Sequence, residues 1–114
     1  MKHTTVSFSK GFHVLLGDDH SQAASMVVEP GGSEGGLDNY HGGADQWLYV
    51  KSGEGEAKIN GHLYALEAGS LVLIQRGDRH EIRNTGRTEL KTLNFYVPPA
   101  YTADGDERSA GKAD

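Results

Sequence analysis

The chain has 114 residues, a formal net charge of −5 and no cysteine. Its length corresponds to one domain, and its acidic balance argues against binding to nucleic acid or to an anionic membrane surface. No stretch approaches the roughly 20 apolar residues of a membrane span, and the N-terminus lacks the apolar centre of a secretory signal, so we expect a cytoplasmic protein. Without cysteine, any metal must be held by histidine, oxygen or amide ligands.

Short apolar segments separated by turns predict an all-β domain. The predicted strands, in chain order, are 12–16, 23–29, 47–51, 56–59, 62–66, 71–74, 81–83 and 90–97. The pair Asn60-Gly61 is the strongest hairpin signal, because both residues tolerate the positive φ of a type I′ turn. The apolar run Leu71–Ile74 predicts a strand buried on both faces. Many short strands at regular spacing indicate a sandwich or a barrel.

Two segments of different composition interrupt or follow this pattern. Residues 30–43 are rich in glycine, and a connection of this length is often functional in a compact domain. Residues 102–114 are small and polar, so we expect a single domain over 1–101 followed by a mobile tail.

Histidines and amides recur at positions that alternation places on inward faces. Residues two apart on a strand share a face, so Asn39 and His41 point the same way if that stretch is extended. By the same alternation Gln46, Leu48 and Val50 share one face of their strand, and His80, Ile82 and Asn84 share one face of another. If these faces line one barrel interior, two imidazoles and one or two amides converge there. Imidazole suits zinc, nickel, copper or iron(II), and an eight-stranded barrel is wide enough for one small ligand.

The spacing of four residues resembles the second sequence motif of the cupin superfamily. Gly69, Gly77, His80 and Asn84 stand where the motif has its two glycines, histidine and asparagine, and Gln75 stands where proline is usual. The first cupin motif aligns through its closing glycine, Gly53. The resemblance covers roughly residues 23–97.

In that alignment Asn39 replaces the first motif histidine, His41 matches the second, and Gln46 replaces the glutamate. The resemblance implies a double-stranded β-helix, or jelly-roll, cupin barrel. It also implies one divalent metal ion (zinc, nickel, iron, manganese or copper) held by His41, Gln46, His80 and Asn39. The usual ligand set carries one negative charge, whereas this set is neutral. A bound ion would keep its full +2 charge, which favours an anionic small molecule.

Three functions stay open at this stage. The chain is an enzyme acting on a small molecule at the metal, a module that binds or senses a small ligand without turnover, or a structural cupin without metal. Cupins commonly cover their strand edges by dimerising, so we also expect a homodimer.

Several other side chains receive weaker predictions. Asp45 faces away from Gln46 by alternation, and only a β-bulge would make it the ligand instead. His62 follows a hairpin turn and points to solvent. Of the neighbours Phe95 and Tyr96, one lines the pocket.

Overall fold

A computed structural model describes residues 1–35 and 43–102 of the chain, and this part consists of strands and connections without a helix. The strands, in chain order, are β1 (Gly11–Gly17), β2 (Gln22–Val28), β3 (Ser33–Gly35), β4 (Asp45–Ser52), β5 (Gly55–Ile59), β6 (His62–Leu66), β7 (Leu71–Ile74), β8 (His80–Asn84) and β9 (Leu90–Val97).

These strands form two antiparallel sheets. The first sheet has five strands in the order β1-β2-β9-β4-β7, and the second has four in the order β3-β8-β5-β6. Consecutive strands in the chain often lie in different sheets, as in a jelly roll. The predicted all-β double-stranded β-helix is therefore confirmed.

Each predicted strand is present, and β5 and β6 form the hairpin predicted at Asn60-Gly61. Asn60 and Gly61 have φ angles of 49° and 85°, so the β5–β6 turn uses the positive-φ conformations that asparagine and glycine tolerate. Strand β3 was not predicted. It lies inside the glycine-rich segment and pairs with β8, with Glu34 opposite Ile82.

Strand β7 corrects the prediction that it is buried on both faces. Leu71 and Leu73 are 62% and 40% exposed, whereas Ile74 is 1% exposed. The physical reason is that β7 is the edge strand of the five-stranded sheet and only one face of that sheet has the other sheet against it. The apolar run Leu71–Ile74 therefore has one face buried in the core and one face exposed to solvent.

The space between the sheets divides into an apolar end and an end with polar groups. The larger apolar cluster comprises Met26, Val28, Leu48, Val50, Ala57, Leu66, Ile82 and Leu90, all buried. A smaller cluster at the other end comprises Ala24, Ala44, Tyr96 and Ala100, with Phe12 and Tyr101 packed against it. The cavity described below lies beside this smaller cluster.

In the described residues no helix has the length and apolarity that crossing a membrane requires. The predicted tail falls almost wholly on residues 103–114, which lie outside the described part.

Candidate functional site

A cavity of about 230 Å³ opens between the two sheets at the end that holds the smaller apolar cluster. The described residues that line the cavity are Phe12, Met26, Glu34, Gly35, Gln46, His80, Ile82, Tyr96 and Tyr101. Gln46 comes from β4 and His80 from β8, so the two predicted ligands face one hollow from opposite sheets.

His80 is placed by a turn that is fastened to the neighbouring hairpin. Asp78 accepts hydrogen bonds from the backbone N–H of Gln75 and from Asn60 Nδ2, both at 2.9 Å. Asn60 Oδ1 accepts in turn from the backbone N–H of Arg79 at 2.9 Å. Gly77 has a φ of 85°, which explains the motif glycine in this turn. The start of β8 is therefore held by both neighbouring turns.

The ring of His80 has a preferred tautomer. Its Nδ1 lies 3.3 Å from the carbonyl oxygen of Asp78, and the side chain is buried. A carbonyl oxygen only accepts, so this contact favours a proton on Nδ1, and in the neutral ring Nε2 is then the nitrogen without a proton. A neutral imidazole held through one nitrogen is the usual form of a metal-ligating histidine.

Gln46 is buried at 2% exposure and its amide is held from one side. Its Nε2 donates to Asn94 Oδ1 at 3.0 Å. Asn94 lies on β9, beside Leu48 in the register and diagonal to Gln46 on the inner face. The hydrogen bond occupies the amide nitrogen, so the carbonyl oxygen forms the other end of the group.

Asp45 points to the opposite face, as alternation predicted. It accepts three hydrogen bonds from Arg76, at 2.9 Å from the backbone N–H, 3.3 Å from Nε and 3.4 Å from Nη2. These bonds, the side-chain bond foremost, lower the pKa of the Asp45 carboxyl. The irregularity in the β4–β9 pairing falls between Val50 and Ser52, so no bulge turns Asp45 into the cavity.

Asn84, the last residue of the second motif, has a structural role. Its Nδ2 donates to the carbonyl oxygens of Val28 and Thr88, both at 2.8 Å. Its Oδ1 accepts from the backbone N–H of Gly86 at 2.8 Å. All of its polar atoms are used in joining the end of β8 to β2 and to the following turn, so it does not contribute to the cavity.

Glu34 brings a carboxylate into the cavity that the sequence did not predict. Its pairing partner Ile82 is 1% exposed and faces inward, and directly paired residues share a face. Tyr96 faces it from the other sheet. Burial, then the nearby Tyr101 and the charge of Glu34, raise the pKa of the Tyr96 hydroxyl, so this phenol stays protonated at neutral pH.

The aromatic wall of the cavity is fixed by a two-way clamp. Gln22 Nε2 donates to the carbonyl oxygen of Tyr101 at 2.6 Å, and Tyr101 N–H donates to Gln22 Oε1 at 3.0 Å. The Tyr101 ring then lies 4.7 Å from the centroid of Phe12 and 5.1 Å from that of Tyr96. Of the two neighbours on β9, Tyr96 lines the cavity and Phe95 is exposed.

The four predicted metal ligands divide equally. Gln46 and His80 line the cavity, whereas Asn39 and His41 lie outside the described residues. Within 1–35 and 43–102 no group of three or more histidine, cysteine, aspartate or glutamate side chains is close enough together to hold a metal. The donors that the described part offers are the imidazole of His80, the amide of Gln46 and the carboxylate of Glu34, and these types fit a borderline divalent ion.

A larger depression of about 800 Å³ lies at the opposite ends of these strands, around Gly53 and residues 85–88. Its described lining contains neither a histidine nor an aromatic side chain. The smaller cavity is therefore the candidate site, because it combines an apolar lining with convergent polar groups.

A family model described as a cupin domain matches residues 24–96. An oxalate-binding protein of Thermotoga maritima is 38% identical over 74 residues, which cover 65% of this chain and 60% of that protein. The tetracenomycin polyketide synthase protein TcmJ of Streptomyces glaucescens is 29% identical over 72 residues, which cover 63% of this chain and 48% of that protein. The chain thus spans about half to three-fifths of these relatives.

Solved structures show the same fold. A Bacillus halodurans protein superposes with a TM-score of 0.75 at 24% identity, covering 87% of this chain and 76% of that one. A predicted oxalate decarboxylase from Thermotoga maritima gives a TM-score of 0.68 at 29% identity, covering 77% of this chain and 79% of that one.

Proposed function

Because the chain belongs to the cupin family, as its match over residues 24–96 shows, we propose that it binds one divalent metal ion and takes a small anionic molecule at that ion. The proposed ligands are His80 and Gln46 from the described cavity, together with His41 and Asn39. The observation that carries the proposal is that His80 and Gln46 line the same small cavity from opposite sheets.

The cavity residues have distinct parts in this proposal. His80 presents the unprotonated Nε2 and Gln46 presents Oε1. Tyr96 keeps its proton, and its hydroxyl is hydrogen-bonded to Tyr101 at the cavity wall. Glu34 offers a hydrogen-bond acceptor at the cavity wall. When bound, a divalent ion supplies Lewis-acid polarisation of an oxygen on the bound molecule.

The charge of the site favours a small anion. The imidazole and amide ligands are neutral, and Glu34 contributes one negative charge among the described lining residues. A divalent ion would leave the site with a net charge of about +1, because the carboxylate cancels only half of the ionic charge. The volume of about 230 Å³ admits a molecule of a few heavy atoms.

Two matches, both from Thermotoga maritima, support a small carboxylate as the ligand class. One is named an oxalate-binding protein and the other a predicted oxalate decarboxylase. The first implies binding and the second conversion, so both an enzyme and a binding module agree with them. A thermal-shift and turnover screen of one panel of small carboxylates separates the two, since a binding module is stabilised by ligands that it never converts.

The metal content of purified protein tests the proposal. We expect close to one equivalent of zinc, nickel, manganese or iron after growth in supplemented medium, and a large loss in the variants His41→Ala and His80→Ala. His62→Ala is the matched control, because His62 is exposed on β6. Sub-stoichiometric metal in the wild type under every supplement would overturn the proposal.

The cytoplasmic location of the protein stays a prediction.

We further propose that the chain forms a homodimer through the exposed face of the five-stranded sheet. The outer apolar face consists of Trp47, Tyr49, Leu71, Leu73, Phe95 and Val97, which are 39% to 62% exposed. Leu73, Trp47 and Phe95 are direct neighbours across β7, β4 and β9. This face also adjoins the free edge of β7, and an apolar face beside an open edge favours pairing with a second copy.

A further inference from the structure

A chain of buried hydrogen bonds runs from the backbone of β2 to Gln46. Thr92 Oγ1 donates to the carbonyl oxygen of Met26 at 2.8 Å. Asn94 Nδ2 donates to Thr92 Oγ1 at 3.0 Å, and Gln46 Nε2 donates to Asn94 Oδ1 at 3.0 Å. Thr92 and Asn94 are fully buried and Gln46 nearly so.

Each bond in this chain dictates the direction of the next. The carbonyl oxygen of Met26 can only accept, so it takes the single hydroxyl proton of Thr92. The hydroxyl oxygen then has only acceptor capacity left, so Asn94 must turn its NH₂ toward it. This orientation places Asn94 Oδ1 beside Gln46, and that oxygen in turn demands the NH₂ of Gln46.

We propose that Thr92 and Asn94 are positioning residues that fix the orientation of the Gln46 amide, so that the cavity receives its carbonyl oxygen and not its NH₂. Gln46 lines the cavity whereas Asn94 does not. The two ends of a carboxamide have nearly the same shape, so packing alone discriminates poorly between the two orientations. The backbone carbonyl of Met26, which cannot reverse, supplies the discrimination.

The consequence is a rule for what the cavity binds at this position. A carbonyl oxygen attracts a cation or a hydrogen-bond donor and disfavours an acceptor. For a divalent ion the orientation decides whether Gln46 is a ligand, because an amide oxygen coordinates metal and an amide NH₂ does not. This consequence for the metal rests on the proposed function, whereas the orientation itself does not.

The orientation can be measured without any ligand. In protein labelled with ¹⁵N and ¹³C, a scalar coupling across the hydrogen bond should connect Gln46 Nε2 with the side-chain carbonyl carbon of Asn94. We expect this coupling in the wild type and in Thr92→Ser, which keeps the hydroxyl. Thr92→Val has nearly the same shape without the proton donor, so it should lose the coupling or show two sets of Gln46 side-chain resonances. An unchanged coupling in Thr92→Val would overturn the proposal.

Substitutions of Asn94 provide a second pair. Asn94→Asp keeps an acceptor beside Gln46 and should preserve its orientation, whereas Asn94→Leu removes that acceptor and should release the amide. Zinc titration should then show affinity close to wild type in Asn94→Asp and at least tenfold weaker in Asn94→Leu, in the range typical of losing a group that supports a ligand. Equal affinities in the two variants, with zinc bound by the wild type, would contradict the inference.

A third variant keeps the test decisive if Thr92→Val does not fold. Gln46→Glu leaves only acceptors at position 46, whereas the Met26 carbonyl and Thr92 still require the NH₂ of Asn94. Asn94 Nδ2 should therefore keep Thr92 as its acceptor, and a coupling from Asn94 Nδ2 to the carboxyl carbon at position 46 would contradict the proposal. If the wild type binds none of zinc, nickel, manganese or iron but shows the expected couplings, the proposed metal function fails and the orientation inference stands. Zinc binding without these couplings gives the converse result.

Discussion

Asn60 and Asp78 join the β5–β6 hairpin to the turn in front of β8 through a hydrogen bond of 2.9 Å between Asn60 Nδ2 and Asp78 Oδ1. The backbone of Asn60 takes part as well, since its N–H donates to the carbonyl oxygen of Arg79 at 2.8 Å. His80 follows directly. The hairpin turn thus positions a cavity residue, although Asn60 is not among the residues that line the cavity.

Asn60→Gly should therefore weaken the site from outside it. Glycine adopts the φ of 49° at this position without strain, so the variant removes the side-chain bonds and leaves the shape of the turn intact. We expect a loss of about 1–2 kcal/mol in the free energy of unfolding for two hydrogen bonds, measured by urea denaturation, together with weaker zinc binding. Wild-type zinc affinity in a destabilised variant would show that the turn does not govern His80.

Gln46→Glu should raise the affinity for divalent metal. A carboxylate is a stronger donor than an amide oxygen, and we expect a gain of about 10–100-fold, the scale on which ligand-supporting groups act. Titration calorimetry with zinc measures it. The free energy of unfolding should fall by about 1–3 kcal/mol, because Asn94 Oδ1 loses its hydrogen-bond donor and faces a carboxylate. Unchanged metal affinity would mean that residue 46 does not contact the ion.

Glu34→Gln should tighten the binding of small anions to the metal-loaded protein. The substitution removes the negative charge from the cavity wall while keeping the size of the side chain. We expect oxalate, used as the probe, to bind several-fold more tightly in calorimetry. Glu29→Gln is the matched control, because it removes the same charge from an exposed side chain that pairs with Lys10. Equal effects of the two substitutions would refute a local role of Glu34.

Leu73→Lys should dissociate the proposed homodimer by placing a charge in the middle of the outer apolar face. Light scattering should show the mass falling from two chains to one. Leu63→Lys is the matched control, because Leu63 is 64% exposed on β6 of the other sheet. A monomer in the wild type, or a dimer that survives Leu73→Lys and not Leu63→Lys, would contradict the assignment of this face.

The Asp45–Arg76 pair should give the stability a pH dependence at acid pH. Its interactions lower the pKa of Asp45 below its usual 3.8. The stabilisation is therefore complete above pH 3.8 and is lost as the pH falls through the lower pKa of the folded state. Both side chains are partly exposed, so we expect less than about 1 kcal/mol. Asp45→Asn should flatten the profile in acid denaturation, and an unaltered slope would assign the dependence to other carboxyls.

Alternation along the strands predicted the inward positions of the site correctly. Gln46 and Asp45 separated onto opposite faces, and His80 turned inward with Ile82, because successive residues of a regular strand face opposite ways. The glycine and asparagine signals at residues 60 and 61 located the hairpin for the same local reason. The positions that the sequence predicted well are those determined by neighbours along the chain.

Glu34 and the outer apolar face depend on pairing between distant segments, and the sequence did not predict them. Glu34 lies among glycines with no alternation, and only its register opposite Ile82 turns it inward. The apolar run Leu71–Ile74 did not reveal that β7 would be an edge strand. Likewise, Thr92 and Asn94 were placed on a strand, but their hydrogen bonds require the backbone of β2 and the Gln46 side chain of β4 to be in position.

The clamp between Gln22 and Tyr101 means that the minimal functional chain is longer than the minimal fold. A truncation after β9 would keep every described strand and its ladder of backbone bonds, yet it would remove Tyr101 and with it one wall of the cavity. Shortened versions made for crystallisation or labelling should therefore retain residue 101. Gln22 should be kept as well, because its side chain makes the two hydrogen bonds that hold the backbone of Tyr101.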